Sequence, residues 1–110
     1  MIILGIETSC DETALSLVEG SGDISAPKFR LIGSSLFSQA HLHAEFGGVY
    51  PNLARREHQK NIIPLFRKLL AYAGWEKKSD SAKTSFDEAA AAKTLERETE
   101  LLPEFSAYIS

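Results

Sequence analysis

The stretch richest in chemistry lies near the start of the chain, at Glu7-Thr8-Ser9-Cys10-Asp11-Glu12-Thr13. Seven consecutive residues bring three carboxylates, three hydroxyls and a thiol. A β-hairpin needs only a two-residue turn such as Asn-Gly or Asp-Gly, so this turn carries more polar chemistry than a reversal of the chain requires. Backbone amides and the hydroxyls of Thr8, Ser9 and Thr13 can cradle a phosphate, and Asp11 and Glu12 can hold a hydrated Mg²⁺. An ordinary polar hairpin loop would use the same residue types with no ligand at all.

The histidines are the second source of chemistry. His41-Leu42-His43 could place two imidazoles on one face of a strand, a possible metal pair. Two histidines do not make a metal site, and the segment runs into Gly47-Gly48, which reads as a loop pivot. His58 and Arg55 lie on the line of a helical apolar stripe, but earlier than its first apolar residue. Both should point past the edge of the core, either towards the acidic turn at Asp11 and Glu12 or into a local ion pair with Glu45 or solvent.

The elements that position these groups follow from periodicity. Ile2-Ile3-Leu4-Gly5-Ile6 is a nearly unbroken apolar run, which predicts a strand buried on both faces. Thr13 to Val18 alternates, with Leu15 and Leu17 on one side, which predicts a strand with one wetter face. Glu19 to Pro27, rich in Gly, Ser and Asp, predicts a surface loop. Phe29 to Ser38 reads as a third strand, with Gly33 marking a bulge or a close approach of backbone. Pro51 suits the first turn of a helix running to about Ala73 and ended by Gly74. Ile62, Phe66, Leu69 and Ala73 form its stripe, flanked by Ile63 and Leu70, and Pro64 should bend it. Trp75 to Thr84 reads as a polar linker. Ser85 and Glu88 have capping-box spacing before an Ala-rich helix with Leu95, Leu101 and Leu102 as its large residues. Pro103 then breaks that helix or starts a last short one. The fold class is α+β, an antiparallel β-meander followed by helices.

Composition bounds the rest. The 110 residues make at most one small domain. One cysteine excludes an internal disulfide framework, so a reducing, cytoplasmic compartment is expected. No basic segment precedes the first apolar run, so no signal peptide is read, and no run approaches a membrane span. Residues 1–75 hold seven acids and seven bases, whereas 76–110 hold eight acids and five bases. The net charge of −3 therefore comes from the tail and says little about nucleic-acid binding by the front of the chain.

Two strings carry a resemblance. Gly5-Ile6-Glu7-Thr8-Ser9-Cys10-Asp11-Glu12-Thr13 resembles the opening of the tRNA threonylcarbamoyl-adenosine transferase family, formerly called O-sialoglycoprotein endopeptidase. It continues at Ser38-Gln39 and from Leu42 to His58, through Phe46-Gly47-Gly48-Val49-Tyr50-Pro51-Asn52-Leu53-Ala54-Arg55-Arg56-Glu57-His58. The form of the first string is similar to the bacterial and organellar branch. The resemblance covers roughly the first two thirds of the chain.

That resemblance implies a fold and a reaction. Residues 1–75 would begin an α/β lobe of the actin-like, sugar-kinase-like and Hsp70-like ATPases, with 76–110 a linker and charged helical insertion and the lobe incomplete. The family transfers a threonylcarbamoyl group from its adenylate to the adenosine next to the tRNA anticodon, with partner subunits that make the adenylate or regulate transfer. It implies phosphate contact from Thr8 and Ser9, polar or metal-water contact from Asp11 and Glu12, a place for Thr13 in the same loop, and electrostatic support from Arg55 and His58. No catalytic residue is implied beyond the candidates Asp11 and Glu12. The implied cofactors are threonylcarbamoyl-adenylate or ATP and one divalent metal, Fe²⁺ or Zn²⁺. The family's metal ligands are two histidines four residues apart, and His41, His43 and His58 contain no such pair. The chain is therefore expected to be an N-terminal piece of a longer enzyme, inactive alone, with no metal ligands of its own. The alternatives are a non-catalytic paralogue or scaffold subunit of the same complex, or a small-molecule kinase of the same superfamily.

Overall fold

In a computed structural model the chain is described over residues 1–75 and 87–109. Three strands, β1 (Ile2–Glu7), β2 (Glu12–Ser21) and β3 (Lys28–Ser38), form one antiparallel sheet in the order β1-β2-β3. The helices α1 (Ala40–Ala44), α2 (Pro51–Tyr72), α3 (Glu88–Thr94) and α4 (Leu101–Ile109) follow. The α+β meander read from the sequence is present.

The alternation of β2 holds. Thr13, Leu15 and Leu17 are buried under α2, and Leu15, Leu17, Leu65 and Leu69 form the core. The buried line of α2 is Ile63, Leu65 and Leu69, while Ile62, Phe66 and Leu70 pack at its margin. The expected stripe on Ile62 and Phe66 is thus rotated: Ser35 on β3 donates its hydroxyl to the Leu65 carbonyl at 3.1 Å and draws that line of the helix onto the sheet. The helix runs through Pro64 to Tyr72, and Gly74 adopts φ 71° just beyond its cap Ala73.

Gly33 marks the bulge expected of it, and what approaches it closely is two side chains of α2, not backbone. Leu17 pairs with Gly33 but Val18 pairs with Leu31, so Ile32 is an extra residue in β3 beside the glycine. A Cβ at Gly33 would lie 2.8 Å from Tyr72 Cδ1 and 3.2 Å from Leu69 Cδ1.

Three expectations are corrected. β1 is not buried on both faces: it is the sheet edge, and Ile2, Ile3, Leu4 and Ile6 are all exposed. α2 packs on β2 and β3, and nothing described continues the sheet beyond β1. β2 extends into the expected loop, because Glu19, Gly20 and Ser21 pair with Arg30, Phe29 and Lys28, with an Arg30–Glu19 ion pair across the ladder. The Ala-rich helix ends at Thr94, before Leu101 and Leu102, and of the two roles read for Pro103 the second holds: it sits in the first turn of a last short helix, α4, where its missing N–H has no partner to lose. Residues 95–100 are held open by tertiary bonds to α2, which override their helix propensity. The Ser85 cap and most of the linker lie outside the described residues; the described cap of α3 is Asp87, which accepts from Ala90 N–H.

Candidate functional site

Residues 8–11 close the hairpin between β1 and β2. Cys10 takes φ 51°, the left-handed region, alone among described non-glycine residues. That conformation costs an L-residue roughly 1–2 kcal/mol, so something must hold it. Three turn carbonyls face inward: Ser9 C=O accepts from Glu12 N–H at 3.4 Å, Asp11 C=O from Gln39 N–H at 2.6 Å, and Cys10 C=O from His58 Nε2 at 3.2 Å. Two net hydrogen bonds of about 1 kcal/mol each balance the cost at Cys10. With the carbonyls turned in, the N–H groups of Cys10 and Asp11 have no partner among the described residues. Adjacent unpaired amides of this kind form an anion-binding concavity.

His58 stands over the turn because α2 begins at Pro51 and places residue 58 two turns in, on the side facing the hairpin. Its proton position follows from its partners. A carbonyl can only accept, so Nε2 carries the hydrogen given to Cys10. Nδ1 then accepts from the Thr13 hydroxyl at 2.8 Å and, more distantly, from Gln39 Nε2 at 3.2 Å. The same logic fixes His43: Tyr50 N–H donates to its Nδ1 at 3.1 Å, and its Nε2–H donates to Gln39 Oε1 at 3.0 Å. The result is a one-directional relay from the Tyr50 amide through His43, Gln39 and His58 to the Cys10 carbonyl. Thr13 and Gln39 are 0% exposed and His43 2%. No described buried side-chain N or O lacks a partner, which a buried polar network requires if it is to rigidify and not destabilise.

The other sequence candidates separate. Thr8 and Ser9 are exposed at the mouth of the turn, Asp11 is half-buried, and Glu12 is exposed at the first residue of β2 opposite Ser38. Thr13 lies beneath them with its hydroxyl committed to His58. His58 reaches the turn, but through Cys10 and Thr13 and not through the carboxylates of Asp11 and Glu12. Arg55 points elsewhere: its guanidinium bonds the Arg97 carbonyl and the Glu98 carboxylate, so neither the turn nor Glu45 is its partner. Gln59 donates to the same Glu98 and accepts from Glu100 N–H. A cleft of about 610 Å³ lies between, with Thr8, Cys10, His58 and Arg55 in its walls.

Glu7 holds the near side of the turn. It accepts Ser9 N–H at 2.6 Å, and the Ser9 hydroxyl and amide, with a smaller contribution from His58, hold its carboxyl below the usual range.

Gln39, His43 and the Cys10 carbonyl were not legible as a site. The strand reading of His41 to His43 is corrected: both lie on α1, where a separation of two residues turns side chains to opposite sides. His43 is buried and His41 exposed. Both ring nitrogens of His43 and of His58 are committed to hydrogen bonds, and among the described residues no three His, Cys, Asp or Glu side chains gather to hold a metal ion. The described residues do not fit a divalent metal site.

Residues 30–82 match the family model described as tRNA N6-adenosine threonylcarbamoyltransferase. The chain is 47% identical over 74 residues, 67% of its length, to the tRNA N6-adenosine threonylcarbamoyltransferase of Polaromonas sp. (strain JS666 / ATCC BAA-500). It is 46% identical over 93 residues, 84% of its length, to the protein of the same name from Desulfovibrio desulfuricans. These matches cover 20% and 22% of the relatives, so the chain spans about a fifth of their length.

Proposed function

Over the residues these comparisons match, the chain belongs to the tRNA N6-adenosine threonylcarbamoyltransferase family, and we propose that its first hairpin is the phosphate-side loop of such a transferase. The observation that carries the reading is the turn itself: N–H groups at Cys10 and Asp11 with no partner among the described residues, with Thr8 beside them, at the edge of a cleft. Oriented donors of this kind stabilise phosphate oxygens without reorganising. On this reading the loop receives the phosphate of threonylcarbamoyl-adenylate or ATP within an actin-like ATPase lobe. Glu12, exposed beside the donors, orients water, and Asp11 assists it. Thr13 contributes by seating His58. The acceptor is the adenosine beside the tRNA anticodon, and partner subunits complete the reaction. No step is assigned here to a metal, since the described residues do not fit one.

The test is a ¹H–¹⁵N titration of this chain with ATP and, separately, with adenosine. Displacement of the Cys10 and Asp11 amide signals by ATP and not by adenosine supports a phosphate loop. Equal response to both, or none, reduces the turn to a structural hairpin and favours a scaffold role for the chain.

A further inference from the structure

We infer that His58 is the positioning residue of the turn: its Nε2–H, aimed by Gln39 and His43, fixes the Cys10 carbonyl inward and thereby turns the Asp11 amide, which shares that trans peptide, outward. The inference deepens the phosphate-loop reading and rests on it.

The argument begins with how residue 39 is held. Gln39 is fully buried at the end of β3, and its backbone N–H already grips Asp11 C=O at 2.6 Å. Its side chain is turned to the two imidazoles, Oε1 accepting from His43 and Nε2 donating to His58. His58 carries that grip one residue further, to Cys10 C=O at 3.2 Å. The turn is therefore clamped at two successive carbonyls by groups from two different elements, the β3–α1 junction and α2. The Cys10 carbonyl and the Asp11 N–H belong to one trans peptide and point opposite ways.

Direction matters as much as contact. Every bond in the relay donates towards the turn, starting from the Tyr50 amide. His43 reads the main chain at the start of α2 and sets the Gln39 amide one way round. Gln39, with Thr13, then leaves Nδ1 of His58 no role but acceptor. Only the Nε2–H imidazole satisfies Cys10, Thr13 and Gln39 at once. A histidine serving only as packing would not need its tautomer set from two sides.

Two conservative variants divide the roles. His58→Gln keeps a donor near the Nε2 position and loses the Nδ1 acceptor. His58→Asn keeps a group near Nδ1 and loses the reach to Cys10. In the wild-type chain, long-range ¹H–¹⁵N spectra should place the His58 proton on Nε2. His58→Gln should leave the Cys10 and Asp11 amide signals close to wild type, whereas His58→Asn should displace or broaden them even where the two variants melt together. Wild-type turn signals in His58→Asn, equal displacement in both variants, or a proton on Nδ1 in the wild type would each overturn the inference. The wild-type tautomer needs no variant to fold. If ATP leaves the turn signals unmoved while His58→Asn still displaces them, the phosphate-loop reading fails and the positioning role stands.

Discussion

Glu7 and Ser9 decide how the turn answers to acid. The Glu7 carboxyl is held below the usual range because its charged form accepts from the Ser9 hydroxyl and amide. A carboxyl that titrates lower in the folded chain than in the unfolded one contributes its stabilisation above the unfolded value and loses it as pH falls through the folded value. The Ser9 amide should therefore stay unchanged from neutral pH through the ordinary glutamate range and shift only below it. An NMR titration of Glu7 and Ser9 checks this; a midpoint at or above the ordinary value contradicts it. Deeper in, Gln39→Leu removes the group that joins two buried imidazoles and leaves each without one partner. A loss of roughly 1–3 kcal/mol per group left unsatisfied is expected, read as a lowered urea midpoint. At this scale the sequence was half legible. His58 could be aimed at the turn from helical spacing alone, but Gln39 and His43 could not, because a five-residue helix between a strand and a Gly-Gly loop leaves no periodicity to read. Arg55 misled for a related reason: its partners at 97 and 98 lie some forty residues away, in a loop whose break no local pattern announced.

Among the elements, β2, β3 and α2 were written plainly in alternation, in the glycine at the bulge and in the Pro51 start. Gly33 tests that reading. The Tyr72 ring nearest its missing Cβ is exposed and can swing away, but Leu69 is fully buried and cannot. Gly33→Ala should therefore cost about 1–3 kcal/mol by overpacking, measured by thermal or urea melts, and an unchanged melt would show that α2 slides freely on the sheet. β1 was misread because an apolar run has no period to say how many of its faces are covered. Burial on two faces needs layers on both sides of the strand. β1 has β2 along one edge only, and its Leu4 and Ile6 look into a groove towards α3 and α4 that stays partly open.

The whole molecule carries the consequence of that open edge. Ile6, Phe29, Leu31 and Leu36 are each more than half exposed, along the edge and faces of one small sheet. Unpaired strand edges beside apolar surface template association. Analytical ultracentrifugation at low micromolar concentration should show self-associated species; one monomeric species with a sharp cooperative melt would show that α3 and α4 close the core. The most direct test of the central claim is transfer itself, measured on the full-length protein with Glu12→Ala and Thr8→Ala. A loop that receives phosphate should lose at least about tenfold in turnover with Glu12→Ala, roughly 1.4 kcal/mol in the barrier, with the fold intact. Wild-type turnover in both variants would mean that the hairpin shapes the sheet and takes no part in the chemistry.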